Sequence, residues 1–479
     1  MKKLIFFIVV INSFLNIGCK KEFTDLNPVD RLSDKLYYKT ANDFKQASIA
    51  AYTSLRSTYY TWWAFSELTT DNAICLTPDG NMYFAFDQLT LTPDINNLNL
   101  LWVDSYKGIG RCNTLLGRIE NVAIDENLKK QYVAEAKFLR ALFYFNLVRV
   151  FGDVPLVVKE INTVDESFTY LRVQGKTVYE QIVRDLKDAG SVLPEKYTVN
   201  TDIGRATKGA AKSLLGKVYL TLKDYSNASL ILKEVIDNAS VYGYKLLPDY
   251  ASIFDPKNGN NAEIVFSVQY SADGNLGSPW ANTFIPQKSG NTITPSGSEN
   301  DYNLVSNDLY NAFEIGDLRK AVCAATFISG GVTYYYTRKY LDNNPTRGNF
   351  DNDWIVIRYA DVKLMYAEAL NETNLPGASQ QLNEIRARAG LNVTTATTQS
   401  DMRLAIEKER RMELNLEGHR WFDLTRTDRA ITVLNAYFTA NGIITTNGSP
   451  VTLTTNKLLF PIPFNQIAIN PAITQNPGY

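Results

Sequence analysis

The stretch Ala206–Asp237, ATKGAAKSLLGKVYLTLKDYSNASLILKEVID, decides the fold of this chain. Within it, Leu215 and Gly216 are followed by Tyr219, then by Ala228 nine residues later and by Leu232 four residues after that. This is the spacing of a repeat that is built from two helices. Gly216 and Ala228 let the two antiparallel helices approach closely, while Tyr219 and Leu232 fill the groove beside them. The stretch therefore predicts one helix–turn–helix unit.

Weaker copies of this tetratricopeptide-like pattern occur at Arg140-Ala141-x-x-Tyr144 and between Met365 and Ala387, where Ala369 and Ala378 are the small residues. Apolar residues also recur at helical spacing elsewhere in the chain. These further runs are Thr40–Leu55, Leu101–Ile119, Asn127–Val150 and Lys176–Val192. Three related patterns and several long helical runs predict a mostly α fold on a scaffold of tetratricopeptide-like helix pairs.

The composition of the sequence changes between residues 239 and 355, where Gly, Asn, Ser and Thr become frequent. Strand-like pieces occur there at Glu263–Tyr270 and Gly331–Thr337. We interpret this part as a loop-rich, partly β region that displays binding residues. The prediction is a single domain over residues 36–479, with helical parts at 36–238 and 356–479 and an irregular tail.

The first residues have the pattern of a bacterial lipoprotein signal. Lys2 and Lys3 precede an apolar run, Leu4–Ile11, that is too short to span a bilayer, and Gly18 stands directly before Cys19. We predict a signal peptide at 1–18, a lipidated Cys19 and a polar leash at 19–35. The alternative is an ordinary secretory signal with an incidental cysteine.

The composition excludes several classes of function. The chain has 479 residues, a formal charge of −1, four cysteines and one histidine. A near-neutral charge without a basic run argues against nucleic-acid binding. The three cysteines beside Cys19 do not form a disulfide framework, and a single histidine disfavours a zinc site or a histidine-assisted nucleophile.

Longer motifs follow one another along nearly the whole chain. The most specific is Glu135–Tyr144, EAKFLRALFY, which runs on to Phe151-Gly152-Asp153-Val154-Pro155. The others are Asp25–Pro28, Ala51–Arg56, Trp102–Asn113, Arg358–Ala369, Asn383–Gly390, Glu409–Leu414, Gly418–Leu424, Pro461–Pro463 and Gln475–Tyr479. In content and order these motifs resemble the RagB/SusD family, the surface lipoproteins that serve outer-membrane nutrient importers in Bacteroidetes.

The resemblance implies a SusD-like α-α superhelix that carries a loop-rich ligand-binding face. It also implies a non-catalytic protein, anchored by lipid in the outer membrane at the cell surface, that captures oligosaccharides and acts as the lid of a SusC-like TonB-dependent transporter. Oligopeptides are the alternative ligand, because aromatic loops suit both. No cofactor is expected. Members of the family sometimes hold calcium, but no compact Asp/Asn loop assigns a metal site in this sequence.

Several charged residues of these motifs lie on predicted helices beside Leu, Phe and Trp. They are Glu135, Arg140, Arg410, Arg420 and Asp423. Their placement favours ion pairs that lock helix packing over catalytic groups. In the same way, Phe151-Gly152 followed by Pro155 predicts the end of a helix, since Gly accepts a left-handed backbone and Pro bars continuation.

The candidate ligand contacts come from the aromatic residues, of which the chain has 28 Tyr, 23 Phe and 6 Trp. A sugar ring stacks its C–H face on an aromatic ring, and its hydroxyls need amide and carboxylate partners. Trp102, Trp354 and Trp421 fall in or beside helix motifs and are expected in the core. The candidates in predicted loops and strands are Trp62, Trp63, Asp71, Asn72, Tyr83, Trp280 and Tyr335. Since side chains alternate along a strand, only some of Tyr334–Tyr336 can face a ligand.

Two other classes of function compete with this interpretation. A secreted glycoside hydrolase needs two carboxylates across a cleft, and Glu67 and Asp71 are one helical turn apart. Acidic pairs at this spacing are common on solvated helix faces, so we expect no enzyme. A purely structural repeat adaptor is disfavoured by the loop-rich region.

Overall fold

The computed structural model describes residues 37–76, 82–298, 300–445 and 448–479. The predicted lipidation site Cys19 and the leash lie outside them. The α-helices are α1 (Ala41–Tyr59), α2 (Met82–Asp87), α3 (Asn96–Ile119), α4 (Glu126–Phe151), α5 (Val164–Phe168), α6 (Gly175–Val192), α7 (Lys208–Thr221), α8 (Tyr225–Asp237), α9 (Ala239–Tyr242), α10 (Trp280–Thr283), α11 (Asn307–Ala312), α12 (Lys320–Cys323), α13 (Tyr359–Glu372), α14 (Ala378–Arg388), α15 (Gln399–Leu414), α16 (Arg420–Arg426), α17 (Ala430–Ala440) and α18 (Phe464–Ile469). Among these, none is both long and apolar enough to cross a bilayer.

Helices that follow one another along the chain also pack against one another. Helix α3 lies against α1 and α4, α6 lies between α4 and α7, and α8 lies between α7 and α13. Helices α14 and α15 then pack on α13. This order of neighbours is that of a helix-pair superhelix, and the predicted mostly α fold is confirmed.

Gly216 permits the closest approach in the predicted helix pair. A Cβ atom at Gly216 of α7 would lie 2.5 Å from Leu232 Cδ2 and 2.6 Å from Leu232 Cγ on α8. Ala228 and Leu232 are fully buried, and Tyr219 is nearly so. The small residues therefore permit the close helix contact, and the large residues fill the space beside it, as predicted.

The strands are short and pair in twos. They are β1 (Ala73–Ile74) with β5 (Leu304–Val305), β2 (Val154–Pro155) with β3 (Arg172–Val173), β4 (Ile264–Val268) with β8 (Trp354–Arg358), and β6 (Ala325–Ser329) with β7 (Val332–Tyr336), all antiparallel. The two predicted strand pieces are thus present as β4 and β7. The β4–β8 pair ties the loop-rich region to the start of α13.

The charged motif residues form buried ion pairs, as predicted. Arg140 donates from Nε and Nη2 to the two carboxylate oxygens of Asp185, each at 2.8 Å, and Arg205 pairs with Glu135. Arg410 donates to Asp423 at 3.0 Å. These pairs join different elements of the scaffold, which is a structural and not a catalytic use of charge. Helix α4 ends at Phe151, and Gly152 has a φ of 72°.

Candidate functional site

The three tryptophans that we expected in loops lie in the core, so that expectation is wrong. Trp62 stacks on Phe422 with ring centroids 5.1 Å apart. Trp63 contacts Phe284, and Trp280 contacts Trp354 at 5.0 Å. Their exposed fractions are 2%, 2% and 0%. In this structure other side chains cover these three rings, so the tryptophans contribute to packing.

Asp71 and Asn72 are also buried, which differs from the exposed polar partners that we expected. Arg420 donates to both carboxylate oxygens of Asp71 at 2.8 Å, and Asn72 donates to Glu67 at 2.9 Å. Glu67 in turn accepts from the backbone N–H of Gly418 at 2.8 Å. Burial alone would raise the pKa of Asp71, but Arg420 and Arg411 outweigh it and hold the pKa below its ordinary value. The pair considered for hydrolysis thus anchors the 416–420 turn and is closed to solvent.

Tyr335 lies on the β6–β7 hairpin and is half-buried. One face of its ring stacks on Tyr310 at a centroid distance of 3.9 Å, and the Lys320 ammonium lies 3.7 Å from the Tyr310 ring. The neighbouring Tyr336 is buried. A ligand would therefore meet at most one face of Tyr335.

Tyr83 lies on α2 and is partly exposed. Its ring contacts Trp63 at 4.6 Å and Tyr302 at 4.7 Å. Burial raises the pKa of Tyr83 to about 12, so its hydroxyl stays neutral at physiological pH. Tyr83 and Tyr302 form an aromatic surface beside the cleft at Tyr60.

The open cleft lies where α1 ends and α3 begins. It has a volume of about 310 Å³ and is lined by Arg56, Ser57, Tyr60, Thr61, Leu100, Asp104, Tyr270, Leu276 and Gly277. We call it the Tyr60 cleft. Tyr60 is 46% exposed. Tyr60 also lies close enough to Tyr83 for the two hydroxyls to interact electrostatically. Tyr60 and Thr61, which directly precede the candidate Trp62 in the chain, line this cleft.

Hydrogen bonds to the backbone fix the walls of the Tyr60 cleft. The Tyr270 hydroxyl donates to the Arg56 carbonyl at 2.7 Å, and Trp280 Nε1 donates to the Tyr60 carbonyl at 3.4 Å. The opposite wall is α3, on which Leu100 and Asp104 are four residues apart and thus share a face. Tyr270 and Trp280 are buried, so the end of α1 is held from within.

The residues of the Tyr60 cleft suit a polar ring that also has apolar faces. Tyr60 offers an aromatic face, and Leu100 and Leu276 are each more than two-fifths exposed. Ser57, Thr61 and Asp104 add hydroxyl and carboxyl groups. Burial raises the pKa of Asp104, and Lys107 and Arg111 offset part of that rise. This mixture of one ring, aliphatic carbon and hydrogen-bonding groups matches the two kinds of surface of a sugar.

A second cavity, of about 180 Å³, lies among α13, α15 and α16 and is lined mainly by charged residues. Its lysine and arginine residues are each paired with an acidic residue, for example Arg429 with Glu407 at 3.0 Å and Arg403 with Glu372 at 2.7 Å. In each pair the two charges neutralise one another, which leaves no free charge for a ligand. We therefore take the Tyr60 cleft as the candidate site.

No metal centre is found among the described residues, where no three His, Cys, Asp or Glu side chains are grouped to hold an ion. Cys75, Cys112 and Cys323 are buried thiols without disulfides. Burial raises the pKa of Cys112 to about 12, which keeps that thiol protonated.

Comparisons with known proteins agree with this architecture. The family described as "SusD family" matches residues 328–479, and the one described as "Starch-binding associating with outer membrane" matches residues 30–220. A "Laminarin binding SusD-like protein" of known structure is 30% identical, with a TM-score of 0.79 over 92% of this chain and 100% of that one. A SusD-like protein of Formosa agariphila is 28% identical over 100% of both chains. A SusD-like protein of Bacteroides ovatus is 27% identical over 87% of this chain and 81% of its own.

Proposed function

Since this chain belongs to the SusD family, whose members are glycan-binding and associated with the outer membrane, we propose that it captures oligosaccharides in the Tyr60 cleft. The observation that carries the proposal is the exposed Tyr60 ring in one cleft with exposed Leu100 and Leu276 and with hydroxyl and carboxyl groups. The similarity to a laminarin-binding SusD-like protein supports a glycan as the ligand.

The protein acts without making or breaking bonds. Glu67 and Asp71, the acidic pair that we considered for hydrolysis, are buried and engaged with Asn72 and Arg420. Among the described residues, Asp104 is the one carboxylate that lines the Tyr60 cleft, whereas glycoside hydrolysis ordinarily uses two. Both points support binding as the sole activity.

The bound sugar is passed to a SusC-like TonB-dependent transporter, for which this protein is the lid. The tether is a lipid on Cys19. Tethering raises the effective concentration of the lid at its barrel without any added contact. Affinity purification of a tagged chain from outer membranes tests this role: we expect the transporter to co-purify, and a chain that is isolated alone would contradict it.

An array of immobilised oligosaccharides and oligopeptides tests the ligand class, followed by calorimetry with the best binder. Tyr60→Ala removes the stacking surface, and we expect it to weaken glycan binding about tenfold or more, as for other aromatic contacts. Leu230→Ala is the control, because Leu230 is 69% exposed on α8 and does not line the cleft. Tight binding of a peptide with no response to any glycan would refute the proposal.

A further inference from the structure

Arg56 is a basic residue of the Tyr60 cleft, and its guanidinium has no ion-pair or hydrogen-bond partner among the residues that the structure describes. It is half-buried in the last turn of α1. Among the described residues it makes no side-chain hydrogen bond and has no carboxylate within 4.0 Å. This differs from the arginines of the 180 Å³ cavity, each of which has an acidic partner. A partly desolvated cation without a partner loses hydration that no other contact replaces.

The helix dipole of α1 gives one reason for a basic residue at position 56. A cation in the last turn of α1 interacts favourably with the helix dipole. An arginine side chain that extends into solvent would interact with the helix dipole equally well. Here the Tyr270 hydroxyl holds the Arg56 carbonyl at 2.7 Å, so the base of the side chain is fixed at the cleft wall.

The acidic group of the same cleft does not neutralise Arg56. The cations that act on Asp104 are Lys107 and Arg111, and burial raises the pKa of Asp104. The cleft therefore has an available positive charge next to an exposed aromatic ring. A planar guanidinium with several N–H donors matches a carboxylate or a sulfate ester.

We propose that the oligosaccharide bound in the Tyr60 cleft is anionic, and that Arg56 holds its carboxylate or sulfate group while Tyr60 stacks on a sugar ring. This inference rests on the proposed function. It names Arg56 as the residue that selects acidic over neutral glycans.

Calorimetry with matched tetrasaccharides of galacturonic acid, sulfated galactose and neutral galactose, together with the best binders from the array, tests the inference. We expect an acidic ligand to bind about tenfold or more tightly than its neutral counterpart, which is the scale of one charge-assisted hydrogen bond. Arg56→Gln should abolish that difference, and Arg56→Lys should keep part of it. The carboxylate and sulfate arms identify which anion is held.

Arg184→Gln is the matched control, because Arg184 is an exposed arginine on α6 whose side chain donates to Gln181 and does not line the cleft. An acidic preference that survives in Arg56→Gln would overturn the inference. So would neutral glycans that bind as tightly as acidic ones in a Tyr60-dependent manner, and in that case the proposed function would stand. Failure of every glycan to bind would overturn both. Thermal melting of each variant shows whether it is folded.

Discussion

Adding one methyl group at Gly216 tests the helix-pair scaffold directly. In Gly216→Ala the new Cβ would lie 2.5 Å from Leu232 Cδ2 and 2.6 Å from Leu232 Cγ. Rotation of the outer Leu232 torsion moves Cδ2 but leaves Cγ in place, and Leu232 is fully buried, so the clash needs a shift of α7 against α8. Such overpacking costs about 1–3 kcal/mol, and the better helix propensity of Ala returns about 1 kcal/mol.

Gly110→Ala is the matched control on α3. Nothing lies within 4 Å of a Cβ atom at Gly110, which is an exposed helical position. This variant should therefore gain up to about 1 kcal/mol from helix propensity alone. Urea unfolding should show Gly216→Ala less stable than Gly110→Ala by about 1–3 kcal/mol. In a Leu232→Ala background, where the clash is removed, Gly216→Ala should become neutral or stabilising. Equal stabilisation by both glycine variants in the wild-type background would refute the close approach.

Three further predictions concern the anchor, a buried ion pair and pH. Cys19→Ser should abolish incorporation of a labelled fatty acid and release the protein from membranes; a variant that stays labelled would contradict lipidation at Cys19. Arg140→Met strands Asp185 in the core and should cost about 3–5 kcal/mol in urea unfolding, and a loss under 1 kcal/mol would show that the pair matters little. Burial raises the pKa of Asp353 to about 7, above its unfolded value, so its ionisation destabilises the fold progressively from about pH 4 up to pH 7. Asp353→Asn should therefore lose less stability than wild type between pH 5 and pH 8, and parallel curves would contradict the raised pKa.

Much of the scaffold was predictable because it depends on local spacing. Gly216, Ala228 and Leu232 mark a helix pair by the sizes of their side chains, and Gly152 marks the end of α4 by its backbone freedom. The charged motif residues were also interpreted correctly, since a charge flanked by large apolar residues on a helix needs a buried partner.

The candidate site was less predictable because burial depends on tertiary packing. Trp62 and Trp63 stand beside polar residues and a run of tyrosine, yet the chain continues there into a short π-helix, Ala64–Leu68, and both rings turn inward. Asp71 looked like a surface carboxylate, but its partner Arg420 is about 350 positions away. No local pattern signals such a pair.

The Tyr60 cleft brings together three separate parts of the chain. Arg56 lies in the last turn of α1 and Tyr60 directly follows it. Leu100 and Asp104 lie near the start of α3, and Leu276 comes from the loop-rich region. The sequence offers a partial signal, because Tyr60 directly follows an amphipathic helix whose buried face excludes it. Leu100, Asp104 and Leu276 were missed, since nothing in their own neighbourhoods distinguishes them from ordinary surface residues.

The most direct test of the central claim is a crystal structure of this protein with its best-binding oligosaccharide. The account predicts a sugar ring stacked on Tyr60 between Leu100 and Leu276, with an anionic group within hydrogen-bonding distance of the Arg56 guanidinium. A sugar bound elsewhere, for example against Tyr335 on the β6–β7 hairpin, with the Tyr60 cleft empty, would contradict it.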